Sequence, residues 1–212
     1  MRRSISTLKC LLSIGMVALS APSLAADETP LAEAAHAALE TVLEAADPQM
    51  IAQSRAVLIA PNVEHAAVDR AILCARLGTD AWSNPLLLTV QSAQATDAAD
   101  LLGDEILVLL AMTETGVAAL TDDDPALGGG YDLAVVNLSV PAIPRLSGFD
   151  IIAFTDGPAG AEAVQQGDIL FVIDAMGNAG LYGDYFAIGD ILGLPNQFAL
   201  FADIVESLRS SP

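Results

Sequence analysis

RLGTDAWSNPLLLTVQSAQATDAADLLGDEILVLLAMTETGVAALTDDDPAL, running from Arg76 to Leu127, decides how this chain folds. It carries the only tryptophan in a Trp82-Ser83-Asn84-Pro85 step that leads directly into the apolar run Leu86 to Val90. A second apolar run, Glu105 to Met112, is followed by Thr113, a residue type that caps helices, and by a short helical segment ending near Leu120. Both runs have the length and branched content of strands. Between them, Ser92 to Leu102 is polar and alanine-rich, and fits a helix or a loop equally.

Upstream, Thr29-Pro30 reads as an N-cap followed by proline at the first helical position. Leu31, Ala35, Leu39 and Val42 or Leu43 then share one helical face, and Asp47-Pro48 ends the helix. A shorter helix restarts with Asp47 as cap and turns Met50 and Ile51 inward. Ala56 to Ile59 and Arg70 to Arg76 are strands, the first stopped by Pro61-Asn62 and the second turned at Gly78-Thr79-Asp80. Downstream, Asp122 to Gly130 forms a loop, and Tyr131 to Val140 is a strand broken by Pro141 and Pro144. Phe149 to Thr155 and Asp168 to Asp174 are two more strands, each followed by a turn, at Asp156-Gly157-Pro158 and at Gly177-Asn178. Gly180 to Ile188 is read as a last strand. Asn196 then caps a closing helix with Phe198, Phe201, Ala202, Val205 and Leu208 on its inner face. Successive strands bracketed by an N-terminal and a C-terminal helix give an α+β class, a single domain with a mostly antiparallel sheet, open-barrel or sandwich-like.

The first 25 residues have the form of a secretory signal. Arg2, Arg3 and Lys9 make a basic start, Cys10 to Leu19 an apolar core too short to span a bilayer, and Ser23-Leu24-Ala25 a small-residue cleavage site. Cleavage is expected after Ala25 or Ala26, leaving one domain over residues 26–212 in the periplasm or outside the cell. No later apolar run is long enough for a membrane span. The whole chain has 8 Lys+Arg against 27 Asp+Glu; without Arg2, Arg3 and Lys9 it keeps five arginines, no lysine and a formal charge of −22. Such a surface is a poor partner for nucleic acid, whose binding rests on neutralising phosphates. With 53% apolar residues the chain is nevertheless no disordered acidic tail. Loss of Cys10 leaves Cys74 alone in an apolar run, so no intrachain disulfide is expected and the thiol reads as buried and inert.

Little here announces catalysis. A mature chain without lysine lacks a P-loop, a Schiff-base amine and a kinase-type phosphate clamp. No serine sits in a nucleophile elbow, no histidine pair has metal-ligand spacing, and no catalytic residue, metal ligand or cofactor is assigned. His65 and Asp69 lie one helical turn apart, which suits a metal or base and equally a surface ion pair. Asp122-Asp123-Asp124 offers clustered oxygens for calcium but not the alternating spacing of an EF-hand, and reads as a solvated turn. Trp82, between a turn and an apolar strand, reads as a packed core residue rather than a stacking platform.

The order of these elements resembles the SYLF domain, a lipid-binding family. SRAVLIAPNV after the first helix resembles the family's opening; ILCARLGTDAWSNPLLLTV resembles its strand, turn, Trp-Ser-x-Pro step and next strand. DEILVLLAMTETGVAAL resembles the strand and helix that follow, and DILFVIDAMGNAGLYGDYFAIGDIL, more loosely, the closing strand pair. The resemblance implies an exported, non-enzymatic protein of the cell envelope with a lipid or other amphiphile as ligand. It places Arg55 and Arg76 beside early strands as basic contacts, with ordinary ion pairs to carboxylates as their other reading. Two departures stand out. Glycine-rich family segments are replaced by Glu64 to Asp69 and by Gln91 to Thr96, which implies different loops. The first helix carries Glu33, Glu40 and Glu44 where lipid-binding members carry basic residues. A module that keeps the fold without binding lipid is the alternative.

Overall fold

The structure, a computed structural model, describes residues 24–61, 70–93, 102, 104–121, 130–140, 146–183 and 187–210. In chain order the elements are helices α1 (Leu24–Ala45) and α2 (Pro48–Gln53), then strands β1 (Ala56–Ala60), β2 (Arg70–Ala75), β3 (Leu86–Ser92) and β4 (Leu107–Ala111). Helix α3 (Glu114–Thr121), strands β5 (Leu133–Asn137) and β6 (Ile151–Thr155), helix α4 (Pro158–Gln166) and strand β7 (Ile169–Ile173) follow. Helices α5 (Ala175–Tyr182), α6 (Ile188–Leu192) and α7 (Ala202–Ser210) complete the chain.

Among the described residues seven strands form one sheet, ordered β5-β6-β4-β1-β2-β3-β7, antiparallel throughout except for the β5–β6 pair. It curls as an open half-barrel, and the α+β class with flanking helices is what the sequence led us to expect. β1 is central, with Ala56 opposite Ala75 on β2 and Ala111 on β4. Its five residues are all buried, as are those of β4 and β6. Apolar runs without polar alternation belong to strands covered on both faces. Val57, Ile59, Ile72, Cys74, Leu110 and Phe154 face α1, α2 and α7. Leu58, Leu73, Leu86, Leu109 and Phe171 pack in a second cluster with Leu120 of α3, Val164 of α4 and Ile191 of α6.

Two caps are as read from the sequence, at Asp47 and Thr113, whereas Thr29 lies inside α1 and Asn196 lies ahead of a 3₁₀ turn without capping the closing helix. Asp47 accepts a hydrogen bond from the Gln49 N–H at 2.9 Å, with Met50 and Ile51 buried behind it. Thr113 Oγ1 accepts from the Gly116 N–H at 3.1 Å. Four expectations are corrected. Helix α1 is already formed at Leu24, ahead of the start expected at Pro30, which sits inside it. Glu28, just ahead of Pro30, is buried and anchored to the sheet through Arg70. The turns expected after β6 and β7 are the first turns of α4 and α5. The strand expected over Gly180 to Ile188 is instead the end of α5, its left-handed cap at Gly183 (φ 77°) and the start of α6. Finally, a 3₁₀ turn over Ala199–Phe201 precedes α7 and shifts its phase, so Ile204 is buried and Ala202 exposed.

Glycines in the first turns of α4 and α5 are there for room. A Cβ on Gly160 would come within 2.7 Å of Thr155 Oγ1, and one on Gly177 within 2.4 Å of Asp174 Oδ2. Glu105 reaches over the start of α4 and accepts hydrogen bonds from the Ala159 and Gly160 N–H groups at 3.0 and 2.6 Å. That carboxylate supplies the cap which Gly157 lacks a side chain to provide.

Candidate functional site

The Trp82 motif ties the sheet to the C-terminal segment. After β2 the chain turns, with the Leu77 N–H donating to Ala81 O at 2.8 Å, and Trp82 then pairs with Arg76 as an isolated bridge. The Trp82 ring is fully buried, and the Arg76 guanidinium lies 4.5 Å from its centroid. Its Nε1 finds no hydrogen-bond partner among the described residues. Ser83 Oγ accepts from the Ala75 N–H at 2.9 Å and donates to Asn84 O at 2.8 Å. Asn84 donates its N–H to Leu194 O at 2.7 Å and accepts the Gln197 N–H at 3.0 Å, while the Asn196 N–H reaches Trp82 O at 3.0 Å. Pro85 O accepts from the Tyr182 hydroxyl. Apart from Trp82 Nε1, the polar groups of the step are thus spent on the fold, and the motif positions a site without lining it.

The site it positions is an open pocket of about 480 Å³ where β1 begins, β2 ends and α3 starts. Gln53, Ser54, Arg55, Ala75, Arg76 and Leu77 line it, with Gly78, Glu114 and Val117. Antiparallel pairing explains the convergence: Ala56 faces Ala75, so Arg55 and Arg76 lie one residue beyond the same end of the β1–β2 ladder. The Arg76 N–H donates to Arg55 O at 2.7 Å. Both arginines named from the sequence are therefore on one pocket, but they are held differently. Arg76 donates from Nε to Ser54 O at 2.8 Å, from Nη1 to Thr79 O at 3.0 Å and from Nη2 to Ile51 O at 3.0 Å. Burial lowers its pKa, and the charge of Asp80 offsets part of that, yet a guanidinium stays protonated at any ordinary pH. Arg55 pairs with Glu114 through Nη1, and both side chains are exposed, by 52% and 80%.

The polar cluster that sequence reasoning missed lies elsewhere. Arg70 donates from Nη1 to Glu28 Oε2 at 2.7 Å, and from Nη2 to Glu28 Oε1 at 3.0 Å and to Asp174 Oδ2 at 2.8 Å. Asp174 Oδ1 in turn caps α5 through the Gly177 N–H at 2.8 Å. Burial works against the Arg70 charge, but Glu28 and then Asp174 more than offset it, so its pKa is raised. Asn178 completes the junction by accepting the Leu87 N–H at 2.9 Å and donating to Leu87 O at 2.7 Å, beyond the end of the β3–β7 ladder. The cluster anchors α1 and α5 to the sheet, and Arg70 Nε is buried in it without a hydrogen-bond partner among the described residues. No sequence signal links residues 42 and 104 positions apart.

Cys74 is buried, and its pKa is pushed up to about 12 by burial. His36 Nε2 lies 3.1 Å from Ser207 Oγ and 3.6 Å from Glu40, at the rim between α1 and α7. His65, Asp69 and Asp122 to Asp124 fall outside the described residues. Among the described residues, no three His, Cys, Asp or Glu side chains are grouped to hold a metal ion, and no helix is long and apolar enough to cross a membrane. Comparison with protein-family models, with curated proteins and with solved structures finds no match for this chain.

Proposed function

We propose that this chain is an exported, non-enzymatic protein of the cell envelope that binds a lipid or similar amphiphile, as its resemblance to the SYLF domain implies. The observation that carries the reading is the pocket. Two arginines that lie far apart in sequence converge on it, beside an apolar wall of Ala75, Leu77 and Val117. Its volume lies in the usual range for small-ligand sites, roughly 300–1,000 Å³. Side chains from helices fill both faces of the sheet, so a tail would lie along this pocket and not between sheet and helix. Export is supported by the basic start, the short apolar core and the Ser23-Leu24-Ala25 site. Cleavage after Ala25 leaves Glu28, and with it the α1 anchor, in the mature chain.

A second reading, an envelope interaction module that has lost lipid binding, draws on the formal charge of −22 and the replaced glycine segments. Solvent extraction of the purified exported protein, followed by mass spectrometry, separates the two. Amphiphile binding predicts one co-purifying class near stoichiometric amount, depleted in an Arg55→Gln variant. A folded protein that carries none, and takes up none from a lipid mixture, favours the second reading.

A further inference from the structure

The two arginines of the pocket are not equivalent. Arg76 is fixed: three backbone carbonyl oxygens hold its guanidinium, and its face lies against Trp82. It makes no ion pair with any carboxylate among the described residues. Arg55 is held at fewer points, with a side chain that is 52% exposed. It lines the pocket and, among the described residues, its side chain is bonded only to Glu114, through an ion pair open to water on both sides.

From this we infer that Glu114 is the exchangeable counter-ion of the pocket, displaced from Arg55 when an anionic headgroup arrives. The inference rests on the reading that the pocket takes an amphiphile, and it names the class: an acidic head, phosphate or carboxylate, on an apolar tail. With Glu114 docked, the two arginines and one glutamate leave a single net positive charge in the pocket. With Glu114 swung into water, both guanidinium groups face the ligand. Glu114 can leave without loosening α3, because that helix is capped independently by Thr113 Oγ1 on the Gly116 N–H. The acidic surface beyond the pocket counts for less, since charges further than a Debye length, about 8 Å at physiological salt, are largely screened. The leaving step itself is cheap. Exposed ion pairs are weak, which makes Glu114 a competitor that tunes affinity rather than a lock.

The test uses the exported full chain and three probes in physiological salt: dodecyl phosphate and dodecyl maltoside below their micelle concentrations, and inorganic phosphate. The wild type should prefer dodecyl phosphate to the maltoside. Glu114→Gln should tighten dodecyl phosphate about two- to fivefold, the equivalent of an exposed ion pair, and leave the maltoside unchanged. Arg55→Gln should abolish the preference, and in the double variant the gain from Glu114→Gln should vanish. If Glu114→Gln melts early, Glu114→Ala gives the same comparison with a strong helix former. Unchanged or weaker binding of dodecyl phosphate by a folded Glu114 variant overturns the inference while leaving amphiphile binding standing. Failure of every dodecyl probe overturns both. Inorganic phosphate bound as tightly as dodecyl phosphate, with the same gain in Glu114→Gln, upholds the counter-ion and overturns the amphiphile reading.

Discussion

Replacing Trp82 tests the packing argument most sharply, because the structure predicts that two substitutions there differ. The indole is fully buried between the end of β2 and the C-terminal segment. Trp82→Ala leaves a large cavity and costs about 3–5 kcal/mol, as for other buried aromatics. The ring also stacks under Arg76, an interaction contributing on the order of 0.5–2 kcal/mol. Against this, Nε1 is buried with no partner among the described residues, a penalty of about 1–3 kcal/mol that either substitution relieves. Trp82→Phe keeps an aromatic face for Arg76 and removes the orphaned N–H at the expense of a smaller void. It should therefore lie within about 1–2 kcal/mol of the wild type. Set against a total stability of roughly 5–15 kcal/mol, the alanine loss is easily measured. Urea unfolding followed by far-ultraviolet circular dichroism gives both values, and in a domain of this size the alanine variant should melt about 6–20 °C lower. A Trp82→Ala protein within about 1 kcal/mol of the wild type, or a phenylalanine variant as unstable as the alanine one, would refute the reasoning.

Arg70→Met should cost about 3–5 kcal/mol by leaving Glu28 buried without its partner, and the double variant Arg70→Met/Glu28→Met should recover part of this in thermal unfolding; a double variant no more stable than the single one contradicts the account. Cys74 should resist thiol reagents in the native protein and react on unfolding. Because its folded pKa is raised by burial, its contribution to stability is complete below the ordinary thiol value of about 8.5 and is lost as pH rises from there towards 12; rapid native labelling, or stability unchanged from pH 8 to 11, counts against this. On membranes, a basic residue near an anionic surface contributes about 1 kcal/mol, and the chain sets 8 Lys+Arg against 27 Asp+Glu. Co-sedimentation should show little binding to anionic liposomes at any salt, and strong binding that salt abolishes would refute the charge argument.

Much of the fold was legible because its signals are local. The apolar runs became β1 to β4, Asp47 and Thr113 capped the helices they precede, and Trp82 and Cys74 went inside. What misled was glycine. Gly157 and Gly177 look like turn residues, but they stand at helix starts where the side chains of Glu105 and Asp174 close in on them. Thr29-Pro30 looked like a helix start because the anchor of α1 just ahead of it, Glu28 on Arg70, is a tertiary contact without local trace. The pocket was half legible. Arg55 and Arg76 could be named from their places beside strands, and the antiparallel pairing of those strands brings them together. Glu114 could not, since its approach to Arg55 depends on how α3 folds back after β4.

Resonance assignment of the purified protein, followed by titration with dodecyl phosphate and observation of backbone amide shifts, tests the central claim most directly. Amphiphile binding at the pocket predicts saturable shifts concentrated at Gln53 to Arg55, Ala75 to Gly78 and Glu114 to Val117, with the Arg70 cluster undisturbed. Saturable shifts centred on another surface, or a spectrum unchanged by the probe, would contradict it.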